Sequence, residues 1–374
     1  MMTTSNADVY IDIGTSMVKT TYLHDSAEAL TTPDQVDKAP KVYTFPRFAV
    51  QQILTAQTEE EMTKEVEHVI YKLYNSKDNP DFPDIIKHKL EEDEYLSILR
   101  TMYNIMSNNH RHKSNTDELC PLMLAEKLDC TLLRRKNVIE FAFESLEVPS
   151  LYITSTPALS QFAEYRDTGV VVELSESTTQ VVCIKDGYPL RNFYDAYDTT
   201  GNDITLKYAR DLTGYEMASL PPLTQFMVVL ARDGLCSVND FPQLKEFSST
   251  GKELEELMKM EYLPEGQDSL IERIKDTIAG VQSKIGADAS AFDSLTICGS
   301  VASLGDIDSK IITELNNRND KCLTKLTPRT TSYGHLAPVI GARMLAALPG
   351  FKNVMFSHAT YYEYGAEYLT ARVV

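Results

Sequence analysis

The chain has 374 residues, 43% of them hydrophobic, and a net charge of −18. That length suits two cores better than one. The acidity argues against a broad nucleic-acid surface, which needs clustered Lys and Arg to neutralise phosphates. No run approaches the roughly 20 apolar residues that span a bilayer, and MMTTSNADVY has neither a basic nor an apolar leader region, so secretion is not expected. The six cysteines (Cys120, Cys130, Cys183, Cys236, Cys298 and Cys322) are scattered without a CxxC pair. A disulfide framework or zinc site is therefore disfavoured, and a reducing compartment fits.

In chain order, Val9–Gly14 and Met17–Leu23 read as two short strands around a small polar turn, and Ala39–Val50 as a strand interrupted by Pro46. Glu59–Tyr74 has helical periodicity, with Met62, Val66, Val69, Ile70 and Leu73 on one face. Pro80 and Pro83 break the chain before a second helix, Ile85–Met106. Ser107–Asp117 is polar and reads as a loop, its His110-Arg111-His112 cluster lacking the Cys or carboxylate that would complete a metal ligand set. Leu119–Ala125 is a buried strand, Asn137–Leu146 a helix, Leu151–Thr154 a strand and Pro157–Tyr165 a short helix.

Gly169–Glu173 and Thr179–Lys185 form a strand pair, followed by the turn Asp186-Gly187. Helices are expected at Asp203–Leu212, Leu223–Asp233, Lys252–Met260, Ser269–Lys284, Ile307–Leu315 and Val339–Leu348. A strand, Ser294–Cys298, opens into Gly299-Ser300. Glu59–Glu61 and Glu91–Glu94 read as solvated helix faces, and Tyr361, Tyr362 and Tyr364 as packing or partner-facing residues of the C-terminal segment.

No solenoid repeat is visible, but one coarse duplication is. VYIDIGTSMVKTTYL and VVVELSESTTQVVCIKDGYPL share a plan: an apolar strand ending in a carboxylate, small hydroxyl residues, then a second strand. Their carboxylates, Asp12 and Glu173, lie 161 residues apart. A tight turn of small residues exposes backbone N–H groups that can converge on one anion. Gly14 permits close approach, Thr15 and Ser16 add hydroxyls, Lys19 adds charge, and Asp12 could hold a hydrated Mg²⁺. A carboxylate buried at the end of an apolar strand needs a reason.

These segments resemble the actin family in order over most of the chain. DIGTSMVKTTYL resembles its first phosphate hairpin, and EVPSLYITSTPALSQFAEYRDTGVVVEL the strand, helix and second hairpin that follow. GYPLRNFYDAYDTTGNDIT, ARDGLCSVNDF, LTICGSVASLGDID and VIGARMLAALPGFKNVMFSHATYYEYG resemble, in turn, the entry to the third subdomain, the adenine helix, the adenosine loop and the C-terminal helix. The resemblance implies an α/β, two-lobed ATPase fold of duplicated ribonuclease-H-like domains around a nucleotide cleft. It implies a first lobe over 1–157 with a remodelled outer subdomain at about 51–92, a second lobe over 158–335, and a return segment, 336–374. ATP or ADP with Mg²⁺ would then meet Asp12, Gly14, Thr15, Ser16, Lys19, Glu173, Ser175, Glu176, Gly201, Arg232, Asp233, Gly299 and Ser300.

The departures from the family pattern are informative. The second hairpin, Glu173-Leu174-Ser175-Glu176-Ser177, has lost both family glycines. Glu140 and Gln180 stand at the family's water-positioning places, and neither suits hydrolysis, which depends on tight water placement. Residues 51–92 read as charged helices instead of a Gly- and Met-rich loop, and Tyr262-Leu263-Pro264 runs almost directly into a helix, leaving no room for a hydrophobic plug. Self-polymerisation is therefore doubtful. The resemblance leaves three roles open: a cytoplasmic, cytoskeletal subunit of a protein assembly, a nuclear subunit of a chromatin-remodelling complex, or an active ATPase with Glu140 or Glu173 as base.

Overall fold

The computed structural model describes residues 8–23, 42–53, 56–75, 90–114, 117–197, 201–220, 224–226, 228–229, 270–285, 294–300, 302, 311–313, 315, 327–331 and 333–373. The chain divides into two compact units. One comprises Met1–Ile70, Lys89–Ala163 and Pro338–Val374, and the other Tyr71–His88 and Glu164–Ala337.

The first unit is built on a six-stranded sheet. Its strands are β1 (Val9–Ile13), β2 (Met17–Tyr22), β3 (Tyr43–Pro46), β4 (Leu122–Glu126), β5 (Ser150–Ser155) and β11 (Phe356–Ser357), in the order β11-β5-β4-β1-β2-β3. β1 pairs antiparallel with β2 and parallel with β4, and β4 pairs parallel with β5. Every residue of β1 is buried, as a central strand covered on both faces requires. Tyr10, Met123 and Ala125 pack against Leu159 of helix α5 (Thr156–Ala163) and Val339, Ala342 and Leu345 of α8 (Ala337–Ala346). Gly341 makes this layer possible, because a Cβ there would lie 1.7 Å from the Leu159 carbonyl oxygen. Helix α3 (Glu92–Ser114) packs against β1.

The second unit carries a five-stranded sheet of β6 (Gly169–Leu174), β7 (Thr179–Lys185), β8 (Tyr188–Tyr197), β9 (Ser294–Cys298) and β10 (Thr327–Thr330), in the order β10-β9-β6-β7-β8. Val170, Val172, Leu174, Val181 and Cys183 pack with Ile274 of α7 (Leu270–Ile285) and with Ile311 and Leu315. The two sheets share one connectivity. β6 pairs antiparallel with β7 and parallel with β9, as β1 does with β2 and β4, and β9 pairs parallel with β10, as β4 does with β5. Each sheet is thus a repeat of the other, in agreement with the α/β duplication expected from the sequence.

Several elements differ from expectation. In the expected loop Ser107–Asp117, residues 107–114 are helical, because α3 continues to Ser114. The extension is held by packing: the Tyr22 hydroxyl donates to the Met106 carbonyl at 2.6 Å and accepts from Asn109 Nδ2 at 3.2 Å. Arg111 and His112 therefore lie on the last turn of a packed helix, with His110 just before it. The described part of Ala39–Val50 is the short strand β3 followed by one helical turn, α1 (Arg47–Val50). The helix expected at Asn137–Leu146 begins earlier, as α4 (Leu132–Glu140) capped by Thr131, and ends in a π-turn, Phe141–Ser145. β8 and α9 (His358–Arg372), the latter interrupted at Gly365 with φ 76°, are further elements. Within α9 Tyr361 is buried, stacking on Phe143 and donating its hydroxyl to Glu144, whereas Tyr362 and Tyr364 are exposed. Helix α2 (Glu59–Asn75) covers the expected amphipathic segment. The helix proposed at Lys252–Met260, the Pro80–Pro83 break and the plug-free turn at residues 262–264 lie outside the described residues. No helix among the described residues is long and apolar enough to cross a membrane.

Candidate functional site

The two carboxylate hairpins are the candidate site elements, and each is considered within its own unit. In the first, Asp12 lies opposite Lys19 across the β1–β2 ladder, and its Oδ2 accepts from the Lys19 ammonium at 2.8 Å. Asp12 is 6% exposed, so a partner charge is what makes its burial tolerable. The Gly14 amide donates to the Met17 carbonyl at 2.9 Å and closes a two-residue turn, Thr15-Ser16. A Cβ on Gly14 would sit 2.9 Å from that same Met17 oxygen, so glycine is required by close approach. Thr15 is 7% exposed, and its Oγ1 has no hydrogen-bond partner among the described residues.

Sequence reasoning missed what holds this turn. Arg47, fully buried at the start of α1, donates from Nε to the Thr15 carbonyl at 2.5 Å and from its backbone amide to the Ser16 carbonyl at 2.8 Å. Its Nη1 donates to Gln51 Oε1 at 2.7 Å, and Gln51 in turn reaches Glu94 of α3 at 3.3 Å. With its carbonyls occupied from below, the turn leaves a buried hydroxyl and a lysine on a fixed backbone. A buried arginine directly after Pro46, inside the apolar run Phe45–Val50, was the available signal.

The second hairpin repeats the first in register, 161 residues on. Glu173 lies opposite Gln180, and the Ser175 amide donates to the Thr178 carbonyl at 3.1 Å. The chemistry is different. Glu173 and Glu176 are both buried, at 5% and 7% exposure, and Glu176 Oε1 accepts from Ser300 Oγ at 3.4 Å. Gln180 is fully buried, with neither amide atom paired among the described residues. The first amides of α6 (Gly201–Thr213) are spent on the hairpin itself: Gly201 N donates to the Ser175 carbonyl at 3.0 Å and Asn202 N to the Glu176 carbonyl at 2.8 Å. Gly299, with φ 107°, follows β9 so closely that a Cβ would lie 2.3 Å from the Leu174 carbonyl oxygen.

Each unit therefore gathers part of the expected set: Asp12, Gly14, Thr15, Ser16 and Lys19 in one, and Glu173, Ser175, Glu176, Gln180, Gly201, Gly299 and Ser300 in the other. Arg232 and Asp233 lie outside the described residues. Glu140 stands where α4 passes into the π-turn Phe141–Ser145; it is partly exposed and 3.9 Å from Lys136, which also binds Glu367 at 2.9 Å. The edge that bears the Asp12 turn carries Glu126, Ser155 and Thr156, since Asp12 is in register with Ala125 and Glu126 with Ser155. Glu126 is committed to Arg135 at 2.9 Å.

The first hairpin fits a phosphate: its buried hydroxyl is unpaired, its turn excludes a side chain at Gly14, and Lys19 supplies charge. The second carries the buried carboxylates Glu173 and Glu176 in the same backbone frame. Among the described residues no group of three or more His, Cys, Asp or Glu side chains converges on a metal position.

The comparisons with known proteins agree with the duplicated architecture. Residues 4–284 match the family model described as Actin. The chain is 30% identical over 101 residues to Centractin of Schizosaccharomyces pombe, covering 26% of this chain and 27% of that protein. It is 33% identical to Actin-like protein 9 of Mus musculus over 94 residues (25% and 23%) and of Homo sapiens over 85 residues (23% and 20%). The aligned stretches thus span about a quarter of each relative's length. With the family model matched over more than half of its length and both sheets built on the same plan, the chain belongs to the actin family.

Proposed function

We propose that this chain is a structural, actin-related subunit of a cytoplasmic, cytoskeletal multiprotein assembly, able to hold ATP or ADP with Mg²⁺ but hydrolysing it weakly or not at all. The observation that carries this reading is the asymmetry of the hairpins. The first keeps a lysine, a glycine-closed turn and a hydroxyl unpaired among the described residues, and the second places Glu173 and Glu176 in the same backbone frame. A nucleotide retained from one side stabilises a fold, whereas turnover also demands exact placement of the attacking water. A dynactin-like assembly is the favoured setting. Glu147-Val148-Pro149-Ser150 ahead of a carboxylate-bearing second hairpin, together with the charged sequence of residues 51–92, is similar to the pointed-end actin-related subunit of dynactin. The partners are then other actin-like or adaptor subunits, with no direct contact to nucleic acid or membrane.

Two measurements on the purified protein test this. Denaturation followed by mass spectrometry reads the bound nucleotide, and phosphate release with sedimentation in Mg²⁺-ATP reads turnover and assembly. Retained nucleotide without turnover or filaments supports the proposal. Filaments formed by the chain alone, with phosphate release, refute it. Co-purification places the assembly, since motor-adaptor subunits support the cytoplasmic reading and remodeller ATPases overturn it.

A further inference from the structure

The outer side of α9, within the first unit, is a ridge of exposed tyrosines that neither hairpin uses. Tyr362 is 71% exposed and Tyr364 51%, and Tyr368 follows at 39%. Large rings left together in water mark a contact surface more often than rings scattered singly. These rings are nonetheless ordered by their neighbours. Tyr364 stacks on Tyr368 with centroids 4.7 Å apart, and His358 meets Tyr362 edge-on at 4.5 Å. The buried ring of Tyr361 lies 5.7 Å from Tyr362. Side chains held in place before contact lose little freedom on binding.

The surroundings of the ridge are acidic. Glu363 is exposed between Tyr362 and Tyr364, and Glu144 accepts from the Tyr361 hydroxyl. Lys136 lies 2.9 Å from Glu367 and 3.9 Å from Glu140, so one cation serves two carboxylates. A second copy of a chain that carries −18 would be repelled from such a face, whereas a basic partner would be drawn to it. The ridge also shows which cation it receives. Arg372 lies over the Tyr368 ring at 5.5 Å and donates from Nη1 to the Tyr368 hydroxyl at 2.7 Å. A guanidinium of the chain itself thus uses both the ring and its hydroxyl.

We propose that the α9 ridge centred on Tyr362, Glu363 and Tyr364 is the docking surface for an arginine-bearing segment of a protein partner. A planar guanidinium stacks on an aromatic face and pairs with a carboxylate beside it, and an ammonium does both less well. Glu363, set between two exposed rings, offers that combination. This partner surface rests on the reading of the chain as a subunit of an assembly and on neither hairpin.

Fluorescence anisotropy of the full chain tests it, at physiological ionic strength, with a fluorescein-labelled peptide of alternating arginine and serine and with its lysine counterpart. The variants are Tyr362→Ser with Tyr364→Ser, Tyr362→Phe with Tyr364→Phe, and Glu363→Gln. A control, Glu60→Gln with Glu67→Gln, removes two exposed charges from α2. Circular dichroism confirms folding of each. The arginine peptide should bind more tightly than the lysine peptide. The double serine variant should bind it roughly tenfold more weakly and the double phenylalanine variant nearly as well as wild type, since the rings remain. Glu363→Gln should weaken it about two- to fivefold, and the α2 control less than that. The arginine peptide should also slow hydrogen exchange across residues 358–372. The inference is overturned by arginine and lysine peptides that bind alike or not at all. It is equally overturned by a loss in the α2 control that matches the serine variant, or by protection confined to other segments. Dimers in sedimentation that the serine variant abolishes would assign the ridge to a second copy instead. Filaments formed by the chain alone, with the arginine peptide still bound at the ridge, would sink the assembly reading and leave the docking surface standing.

Discussion

Replacing Arg47 by methionine should loosen the first hairpin more than any change to its own exposed residues. The substitution keeps an unbranched apolar stem in a site that is 1% exposed, and removes only the guanidinium. The side-chain hydrogen bonds to the Thr15 carbonyl at 2.5 Å and to Gln51 Oε1 at 2.7 Å vanish, while the backbone bond to Ser16 survives. Charge-assisted bonds contribute about 1.5–3 kcal/mol each. Part of that is returned, because a guanidinium no longer has to be desolvated. The expected net loss is about 2–4 kcal/mol, concentrated in the first unit. Arg47→Lys should recover only part of it, since an ammonium lacks the planar fork that spans the turn and Gln51. The chain contains no Trp, so urea unfolding is best followed by circular dichroism. Hydrogen exchange of the peptide covering residues 9–23 supplies the local readout. Faster exchange at Gly14 together with a lowered urea midpoint is the expected result. A midpoint within error of wild type with unchanged exchange at Gly14 would show that the arginine does not hold the turn.

Gly341→Ala places a Cβ 1.7 Å from a backbone oxygen of α5, which a side-chain rotation cannot relieve. It should cost at least about 3 kcal/mol of stability, measured by urea denaturation. Gly299→Ala meets Leu174 backbone at 2.3 Å in addition to an unfavourable φ of 107°, and should cost about as much; wild-type stability would contradict the close approach. Burial pushes the Cys120 thiol up to about 11 and the Cys183 thiol up to about 12, and raises the Tyr95 and Tyr103 hydroxyls too. The unfolded chain therefore releases these protons first and binds fewer of them as pH rises. The contribution is whole below about pH 8.5 and is lost through about pH 11–12, so denaturation midpoints should fall between pH 8 and 10.5. The same burial should shield Cys183 from iodoacetamide until the second unit unfolds, a protection that peptide mass spectrometry can read.

What the sequence disclosed and what it concealed follow from the range of the interactions involved. The hairpins were legible because a strand of period two, a turn of small residues and a terminal carboxylate are all local. Their equivalence survived 161 residues of separation because each copy is read by itself. The end of α3 was not legible. His110–Ser114 is polar enough for a loop, and the contacts that Tyr22, 84 residues before Met106, makes with this stretch of α3 leave no local trace. The neighbours of Asp12 were concealed for a related reason: order along the chain does not give them, whereas the pairing of β1 with β4 and of β4 with β5 puts Glu126 and Ser155 on its edge of the sheet. Arg47 shows the same limit most plainly. A charge in an apolar run is costly, and the run gave no sign that a carbonyl 32 residues upstream was waiting to receive it. The divergence of the two turns then has a physical origin. An arginine steadies the first turn from outside and leaves its hydroxyl free, while a helix terminus steadies the second and a glutamate fills it. One backbone plan thus carries one hairpin whose carboxylate faces a lysine and one whose carboxylate faces an amide.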